Sequence, residues 1–188
     1  MYISKKAKVS KTTTLIGDCK IHDNVVIYGE CFIDSCEIKE NTTIWSSALK
    51  QSVIGKNCTV GPYAHIRENC HIEDNVRIGN FVELKNTNIG SGTKVAHLTY
   101  VGDANIGNNC NLGCGVVFCN YDGKQKHTTN IGNEVFVGSN VNLIAPITIE
   151  DRCFIAAGST VTQNAPKNTF VIAREKQINK IRKDWLCT

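Results

Sequence analysis

The sequence lacks the apolar segments that membrane and secreted proteins carry. No apolar run approaches the roughly 18 residues that a membrane-spanning helix needs. The opening segment MYISKKAKVSKTTTLIG has basic residues but no apolar block after them, which disfavours a secretory signal peptide. No C-x-x-C pair occurs, so a structural zinc knuckle is disfavoured as well.

Strong charge and familiar nucleotide-binding motifs are also missing. The net charge of +4 is spread over the chain and is too weak to favour binding to DNA or RNA. Glycine-rich dinucleotide or phosphate loops and a nucleophile elbow do not occur. With 41% hydrophobic and 20% charged residues, the 188-residue chain is typical of one globular domain, or at most two small ones.

Cysteine, by contrast, is abundant. The chain has 10 cysteines, a number that is typical of a secreted disulfide scaffold. The missing signal peptide argues against that class, and so does a length at which a core needs no covalent support. An internal repeat explains the cysteines instead.

Large aliphatic residues recur at steps of six, with occasional steps of five. The residue two positions earlier is small or β-branched in nearly every case. Because residues two apart on a strand share a face, each unit offers one large and one small inward side chain, followed by a turn. The series is Leu15, Ile21, Ile27, Ile33, Ile38, Ile44, Leu49, Ile54, Val60, Ile66, Ile72, Ile78, Leu84, Ile89, Val95, Val101, Ile106, Leu112 and Phe118, then Ile131, Val137, Leu143, Ile149, Ile155 and Val161.

This period predicts an all-β fold of short strands stacked in coils. Neither a helical face nor a hairpin meander repeats every six residues. Three units per coil form a triangular prism, with coils about 4.8 Å apart. The 25 members of the series predict roughly eight coils.

The repeat also predicts where most cysteines lie. Seven of them occupy the small inward position, where a thiol acts as a compact hydrophobe. Free thiols throughout the chain imply a reducing compartment, so we expect a cytoplasmic protein. The seven are Cys19, Cys31, Cys36, Cys58, Cys70, Cys110 and Cys153.

The repeat is interrupted once. The step from Phe118 to Ile131 is 13, which leaves about seven extra residues in the segment CNYDGKQKHTTN, 119–130. Its lysines and hydrogen-bonding groups favour a functional loop over a merely tolerated surface insertion.

The pattern stops after Val161. We therefore predict a β-helix domain over 1–166 and a C-terminal arm over 167–188. Within the arm, Arg174–Trp185 has apolar residues at helical spacing with basic residues around them, which predicts a short helix.

The register of the repeat places two cations side by side. Ile66 and Leu84 are 18 residues apart and so share a face on adjacent coils. Arg67 and Lys85 follow them and should stack at a corner, with Tyr100 one coil further. Two stacked cations repel, so the arrangement calls for an anion such as phosphate. The alternative is a pair of solvated cations.

His97 is the histidine with a notable setting. It lies close in sequence to Tyr100, and Cys114 should stack over it one coil later. An imidazole is the natural proton acceptor near neutral pH, although a lone surface histidine is the plainer interpretation. The other histidines, His22, His65, His71 and His127, lie in turns or in the insertion.

The hexapeptide pattern resembles the left-handed β-helix acyltransferases. Residues 61–174 are more specifically similar to the acetyltransferase half of the bifunctional bacterial glucosamine-1-phosphate acetyltransferase/N-acetylglucosamine-1-phosphate uridyltransferase family. The matching strings are GPYAHIREN, GNFVELKN, HLTYVGDANIG, CNYDG, VFVGS, AAGSTVT and the closing Arg174, whereas 15–60 match only in period. The resemblance implies a homotrimer with active sites between subunits. It also implies acetyl transfer from acetyl-CoA to the amine of glucosamine-1-phosphate, with no metal.

The resemblance implies a role for each matching residue. His97 would be the general base. The sugar phosphate would be held by Arg67, Lys85 and Tyr100, with Lys126 approaching it, and the sugar by Asn111 and Asn120. Acetyl-CoA would be contacted by Cys114, Asn120, Tyr121, Ser139, Ala157 and Arg174.

Two departures from the family keep alternatives open. The family's alanine in the acetyl-CoA site is Cys114 here, and a thiol there would narrow the pocket unless only its N–H is used. The uridyltransferase half is missing, which suggests a natural single-function enzyme or a segment of a longer protein. The acceptor could then be another phosphorylated or nucleotide-linked amino sugar. Two other classes are a non-catalytic assembly module and a zinc carbonic anhydrase, which would need three converging histidines.

Overall fold

The computed structural model describes residues 1–180 as a stack of short parallel strands. Twenty-six strands of two to seven residues follow one another, and no helix occurs among the described residues. The first thirteen are β1 (Tyr2–Ile3), β2 (Lys8–Val9), β3 (Thr14–Ile16), β4 (Lys20–Ile21), β5 (Val26–Tyr28), β6 (Phe32–Asp34), β7 (Glu37–Ile38), β8 (Thr43–Trp45), β9 (Ala48–Lys50), β10 (Val53–Ile54), β11 (Thr59–Val60), β12 (His65–Ile66) and β13 (His71–Ile72). The second thirteen are β14 (Arg77–Asn80), β15 (Glu83–Ile89), β16 (Lys94–His97), β17 (Tyr100–Ile106), β18 (Asn111–Leu112), β19 (Val117–Cys119), β20 (Thr129–Ile131), β21 (Phe136–Val137), β22 (Asn142–Ile144), β23 (Ile147–Ile149), β24 (Phe154–Ile155), β25 (Thr160–Val161) and β26 (Phe170–Val171).

The strands form three faces of a prism. One face is a ten-stranded sheet that runs from β2 to β26 and contains every second or third strand. The other two faces merge into a sixteen-stranded sheet, because β15 and β17 are long enough to bend around a corner and pair on both faces. The predicted fold class, an all-β parallel β-helix of stacked coils, is confirmed.

The coil number differs from the expected eight. Ten strands on one face correspond to about ten coils. The repeat begins before Leu15, at Ile3 and Val9, and a further strand ends at Val171. These terminal residues are partly exposed, and the inward pattern is weaker there. A count of core positions in the sequence therefore misses the outermost coils.

The interior consists of the predicted columns. Isoleucine pairs with isoleucine on one face from Ile3 through Ile149, over nine successive coils. The small positions carry hydroxyls that donate to carbonyls of the neighbouring coil, as Thr42 Oγ1 does to Gly55 O at 2.7 Å. Such bonds let a buried polar side chain fill the small position without a desolvation penalty.

Left-handed residues turn the corners. Eighteen non-glycine residues have positive φ, and half of them are asparagine. Asparagine tolerates this conformation better than most residues do, which explains its frequency after the large aliphatics.

The C-terminal arm continues the stack before it leaves it. β26 pairs with β24, beyond Pro166. The helix predicted over Arg174–Trp185 is not formed in the part that the structure describes, 174–180, and the rest of that segment, with Ile181 and Trp185, lies outside the described residues. No helix within residues 1–180 is long and apolar enough to cross a membrane.

All seven cysteines of the inward series are buried. Burial raises the pKa of their thiols where a shift is seen, and it raises the pKa of Cys36 to about 11. Cys114 and Cys119 are only partly buried. The thiolate is the reactive form, so the inward thiols should be protected twice, by packing and by protonation.

We therefore expect a thiol-specific reagent to modify two thiols in the native protein once Cys187 has been replaced by serine. The seven inward thiols should react only after denaturation. Mass spectrometry of peptides from the labelled protein identifies the modified residues. Rapid native labelling of Cys36 or Cys58 would contradict their place in the core.

Candidate functional site

Seven of the twelve predicted site residues fall into two groups on either side of one turn. The turn contains Leu98, which separates β16 from β17. Arg67, Lys85 and Lys126 form one group, which we name the cationic corner. The second group, the His97 column, consists of residues that occupy the His97 register position on successive coils: Asn80, His97, Cys114, Ser139 and Ala157.

The predicted stacking at the cationic corner is confirmed. Ile66 pairs with Leu84, and Leu84 pairs with Val101, so Arg67 lies beside Lys85 on the adjacent coil. The side chain of Arg67 is not a free solvated cation, because Nη1 donates to Glu83 Oε1 at 3.1 Å. That hydrogen bond is the main reason why the pKa of Arg67 is raised.

The two lysines of this corner meet across the insertion. A side-chain hydrogen bond with Lys126 is the main cause that raises the pKa of Lys85, and the carboxylate of Asp103 adds to it. The same bond, together with repulsion from Lys85, lowers the pKa of Lys126. The carboxylate of Asp103 acts on both amines, while Arg67 is paired with Glu83 and lies 4.0 Å from Glu68. The corner therefore brings together three basic side chains that can donate hydrogen bonds to an anion such as phosphate.

Asp103 is the centre of a small polar cluster behind the lysines. It accepts from Asn86 Nδ2 at 2.8 Å and from Asn120 Nδ2 at 2.5 Å. Asn120 Nδ2 also lies 3.4 Å from the hydroxyl of Tyr100. The Tyr100 hydroxyl lies over Gly102, where a Cβ would collide with it.

The insertion is an ordered loop closed by local bonds. Asp122 accepts from the N–H groups of Lys124 and Gln125 and from the imidazole of His127, at 2.6 to 2.8 Å. These bonds, first that from Gln125, lower the pKa of Asp122 to about 2. The N–H of His127 donates to Asn120 O at 2.7 Å, which brings the loop back over the corner. Tyr121 and Lys126 form an isolated bridge within it, and Tyr121 is exposed.

His97 ends β16 and bonds to the coil below. Its Nδ1 lies 2.8 Å from Asn80 Oδ1. An amide oxygen only accepts, so in the neutral imidazole this contact places the proton on Nδ1 and leaves Nε2 as the acceptor. The close approach depends on Gly79, where a Cβ would collide with the carbonyl of Ala96.

Small residues continue the column above His97. The predicted stacking of Cys114 is confirmed by register, and the N–H of Gly115 donates to His97 O at 3.3 Å. Ser139 and Ala157 follow on the next two coils, and both are exposed. Arg174 lies at the top of this line, with Cδ near Gly158. The line therefore offers a shallow path of small side chains that ends at a guanidinium.

Asn111 lies outside both groups. It points outward from β18 in the register of Lys94 and Phe136. Phe136 is stacked on Phe154 with ring centroids 4.6 Å apart, and Phe154 contacts Phe170. An aromatic stripe thus continues upward from Asn111, next to the His97 column.

Three residues that bond to the predicted ones are not marked by the repeat: Asn80, Glu83 and Asp103. Two of them carry a usable signal, because Asn80 precedes His97 by 17 residues and Asp103 precedes Asn120 by 17. A spacing of 17 is one coil here, so the bonding partner of a candidate residue can be sought at that distance.

Among residues 1–180 no three His, Cys, Asp or Glu side chains are grouped so that they could hold a metal ion.

Comparison with known proteins agrees with the repeat. Residues 51–86 and 128–163 match the family described as bacterial transferase hexapeptide (six repeats). Both of these segments carry the bacterial transferase hexapeptide repeat. Over 172 residues, 92% of the chain, it is 48% identical to the bifunctional protein GlmU of Clostridium acetobutylicum, of which it covers 37%. It is 47% identical to GlmU of Shouchella clausii over 97% of the chain and 42% of that protein.

The resemblance expected from the hexapeptide strings is thus confirmed, and it extends over the early coils as well as 61–174. The chain spans about two-fifths of the length of these relatives. Among solved structures, a UDP-N-acetylglucosamine acyltransferase (LpxA) from Bacteroides fragilis is similar at 19% identity and a TM-score of 0.45, over 88% of this chain and 69% of that one.

The lowered pKa of Lys126 predicts a pH-dependent anion affinity. A bound phosphate favours the protonated amine, so affinity should fall as the pH rises through the pKa of Lys126 in the free protein. Because that pKa is below the ordinary value for lysine, the fall should begin at a lower pH than for an isolated lysine.

Calorimetric titration with inorganic phosphate at increasing alkaline pH measures this dependence. In Lys126→Arg the guanidinium stays protonated, so the fall should move to higher pH. Lys124→Arg, in the same loop, is the control and should leave the profile unchanged. Identical profiles for the wild type and Lys126→Arg would remove Lys126 from the anion site.

Proposed function

We propose that this protein is an acetyl-CoA-dependent N-acetyltransferase that converts glucosamine-1-phosphate to N-acetylglucosamine-1-phosphate. The observation that carries the proposal is a cationic corner of Arg67, Lys85 and Lys126 one turn away from a histidine whose Nε2 is free to accept a proton. A small molecule that carries both a phosphate and an amine could place the phosphate at the cationic corner and the amine at His97. The high identity to part of the GlmU proteins supports this proposal.

The proposed mechanism assigns the proton transfers to His97. Nε2 accepts a proton from the sugar ammonium, and the freed amine attacks the thioester carbonyl. Nearby N–H donors, including that of Cys114, would stabilise the tetrahedral oxyanion. As the tetrahedral intermediate collapses, the attacking nitrogen loses its second proton to solvent and the imidazolium returns its proton to the departing thiolate, so that a neutral amide and free CoA are formed. Asn80 supports both transfers because it holds the Nδ1 proton in place.

The acyl donor is proposed to lie along the His97 column. Ser139 and Ala157 are small and exposed, which leaves room for an extended pantetheine arm beside the column. Arg174 at its end is suited to the phosphates of acetyl-CoA. Tyr121 would contact the same ligand from the insertion, and the arm that begins at 167 would serve to position Arg174. Asn111 and Asn120 are proposed to bind the sugar, with Tyr100 near its phosphate.

We propose a homotrimer with active sites between subunits, in the cytoplasm. A ridge of Tyr63, Phe81 and Leu98 supports the assembly. These residues have φ of 59°, 56° and 45°, and each is more than half exposed. Bulky residues in a left-handed conformation cost about 1–2 kcal/mol each, and the single chain gains little from exposing them. The ridge ends at Leu98, beside His97, so a neighbouring subunit seated on it would help to enclose the site.

An assay of thiol release from acetyl-CoA with glucosamine-1-phosphate tests the function. His97→Ala should lower kcat by about 100- to 10,000-fold because the general base is lost. Arg67→Ala should raise KM for the sugar phosphate about 10- to 100-fold and leave KM for acetyl-CoA almost unchanged.

His71→Ala is the matched control, since His71 is exposed and, in the described part of the chain, its side chain hydrogen-bonds only to Glu73. Full turnover by His97→Ala would refute the assigned base, and equal effects of Arg67→Ala on both KM values would remove Arg67 from the phosphate site. Parallel assays with nucleotide-linked amino sugars identify the preferred acceptor. No release with any amino sugar and no acetyl-CoA binding would favour an assembly module.

If the ridge of Tyr63, Phe81 and Leu98 is a subunit interface, a substitution in it should affect assembly without lowering the stability of the single chain. Phe81→Asn places a residue that tolerates positive φ at this corner and removes exposed apolar surface. The single chain should be unfolded no more easily, while the trimer dissociates and turnover falls with it. Light scattering and denaturant titration measure the two effects. A stable, fully active trimer of Phe81→Asn would show that the ridge lies outside the interface.

A further inference from the structure

The polar cluster behind the lysines does more than fill space. Asp103 turns a corner with φ of 51° and is only 8% exposed, an unusual place for a carboxylate. Its two oxygens accept from the carboxamides of the coil below and the coil above, Asn86 and Asn120. A buried carboxylate is stable only when it is paired or hydrogen-bonded in this way.

The hydrogen bond to Asp103 determines the orientation of the Asn120 carboxamide. Asn120 is 6% exposed, and its Nδ2 faces both Asp103 and the Tyr100 hydroxyl. A carboxylate cannot donate, so the carboxamide cannot flip without setting oxygen against oxygen. Both protons on Nδ2 are therefore directed inward, and Oδ1 remains as the acceptor that the side chain can offer to a ligand.

We propose that Asp103 is a positioning residue that locks the Asn120 carboxamide so that it presents only Oδ1, an acceptor for an N–H or O–H of the sugar, while its charge tempers the cationic corner. The proposal rests on the proposed function for the identity of the ligand. A single carboxylate would then influence the recognition of two features of one ligand: a hydrogen-bond donor, through Asn120, and an anion, through the two lysines.

The two roles of Asp103 predict opposite effects of one substitution. Asp103→Asn removes a negative charge beside Lys85 and Lys126, so inorganic phosphate should bind about threefold tighter or more. The same change frees Asn120 to rotate, so kcat for the amino sugar should fall about 100-fold through misplacement of the reacting group. A merely structural role would weaken both phosphate binding and turnover.

Asn120 provides the second arm of the experiment. Asn120→Ala should lower kcat by a similar factor and leave the Kd for inorganic phosphate nearly unchanged. The double variant should lose no more turnover than Asp103→Asn alone, because the two residues act as one unit. Asp151→Asn is the control, since Asp151 is also a carboxylate that accepts from an asparagine, from the backbone N–H of Asn133 at 2.8 Å and its Nδ2 at 3.4 Å, but it belongs to neither group.

A spectroscopic readout keeps this test separate from the activity. In ¹⁵N-labelled wild-type protein, the side-chain amide protons of Asn120 should exchange slowly, and in Asp103→Asn they should exchange fast. If no amino sugar turns over, the proposed function fails while exchange and phosphate binding still decide the role of Asp103. Slow exchange in Asp103→Asn, or weaker phosphate binding by that variant, would overturn the proposal.

Discussion

The structure depends on one constraint: each short strand must place a large aliphatic and a small side chain inward, in register with the coil below. Because the backbone N–H groups of the strands bond to carbonyls of the neighbouring coil, the stack tolerates little change in the length of a coil. The nine stacked isoleucines, from Ile3 to Ile149, show the consequence. This column keeps the same side chain from layer to layer, while thiols, hydroxyls and alanine exchange at the small position.

In a regular stack of coils, the number of residues between two positions in the sequence determines how close they lie in space. Residues one coil apart are neighbours, which brings Arg67 beside Lys85 and Asn80 beside His97 without any dedicated secondary structure. The chemistry lies at the corners, because the faces are occupied by the inward pattern and its exposed counterpart. Left-handed corner residues have side chains that leave the wall, and these can reach a ligand or one another.

Much of this organisation is visible in the sequence because it depends on periodicity. The fold class, the buried cysteines and the stacking of Leu84 on Ile66 all follow from inward positions, which a step of six defines. The Asp103 cluster is different, since side-chain direction at a corner depends on φ and on the loop that covers it. The helix expected from Arg174 onward rested on spacing alone, and residues 174–180 are all exposed, so helical spacing gains little stability there.

The insertion has a further consequence for how such proteins diversify. The chain leaves the wall after Cys119 and re-enters at Thr129, and the strands on both sides keep their partners above and below. Lengthening the loop therefore adds residues without disturbing a single rung of the ladder. The loop can therefore change in length or sequence while the stack of coils that supports it stays the same.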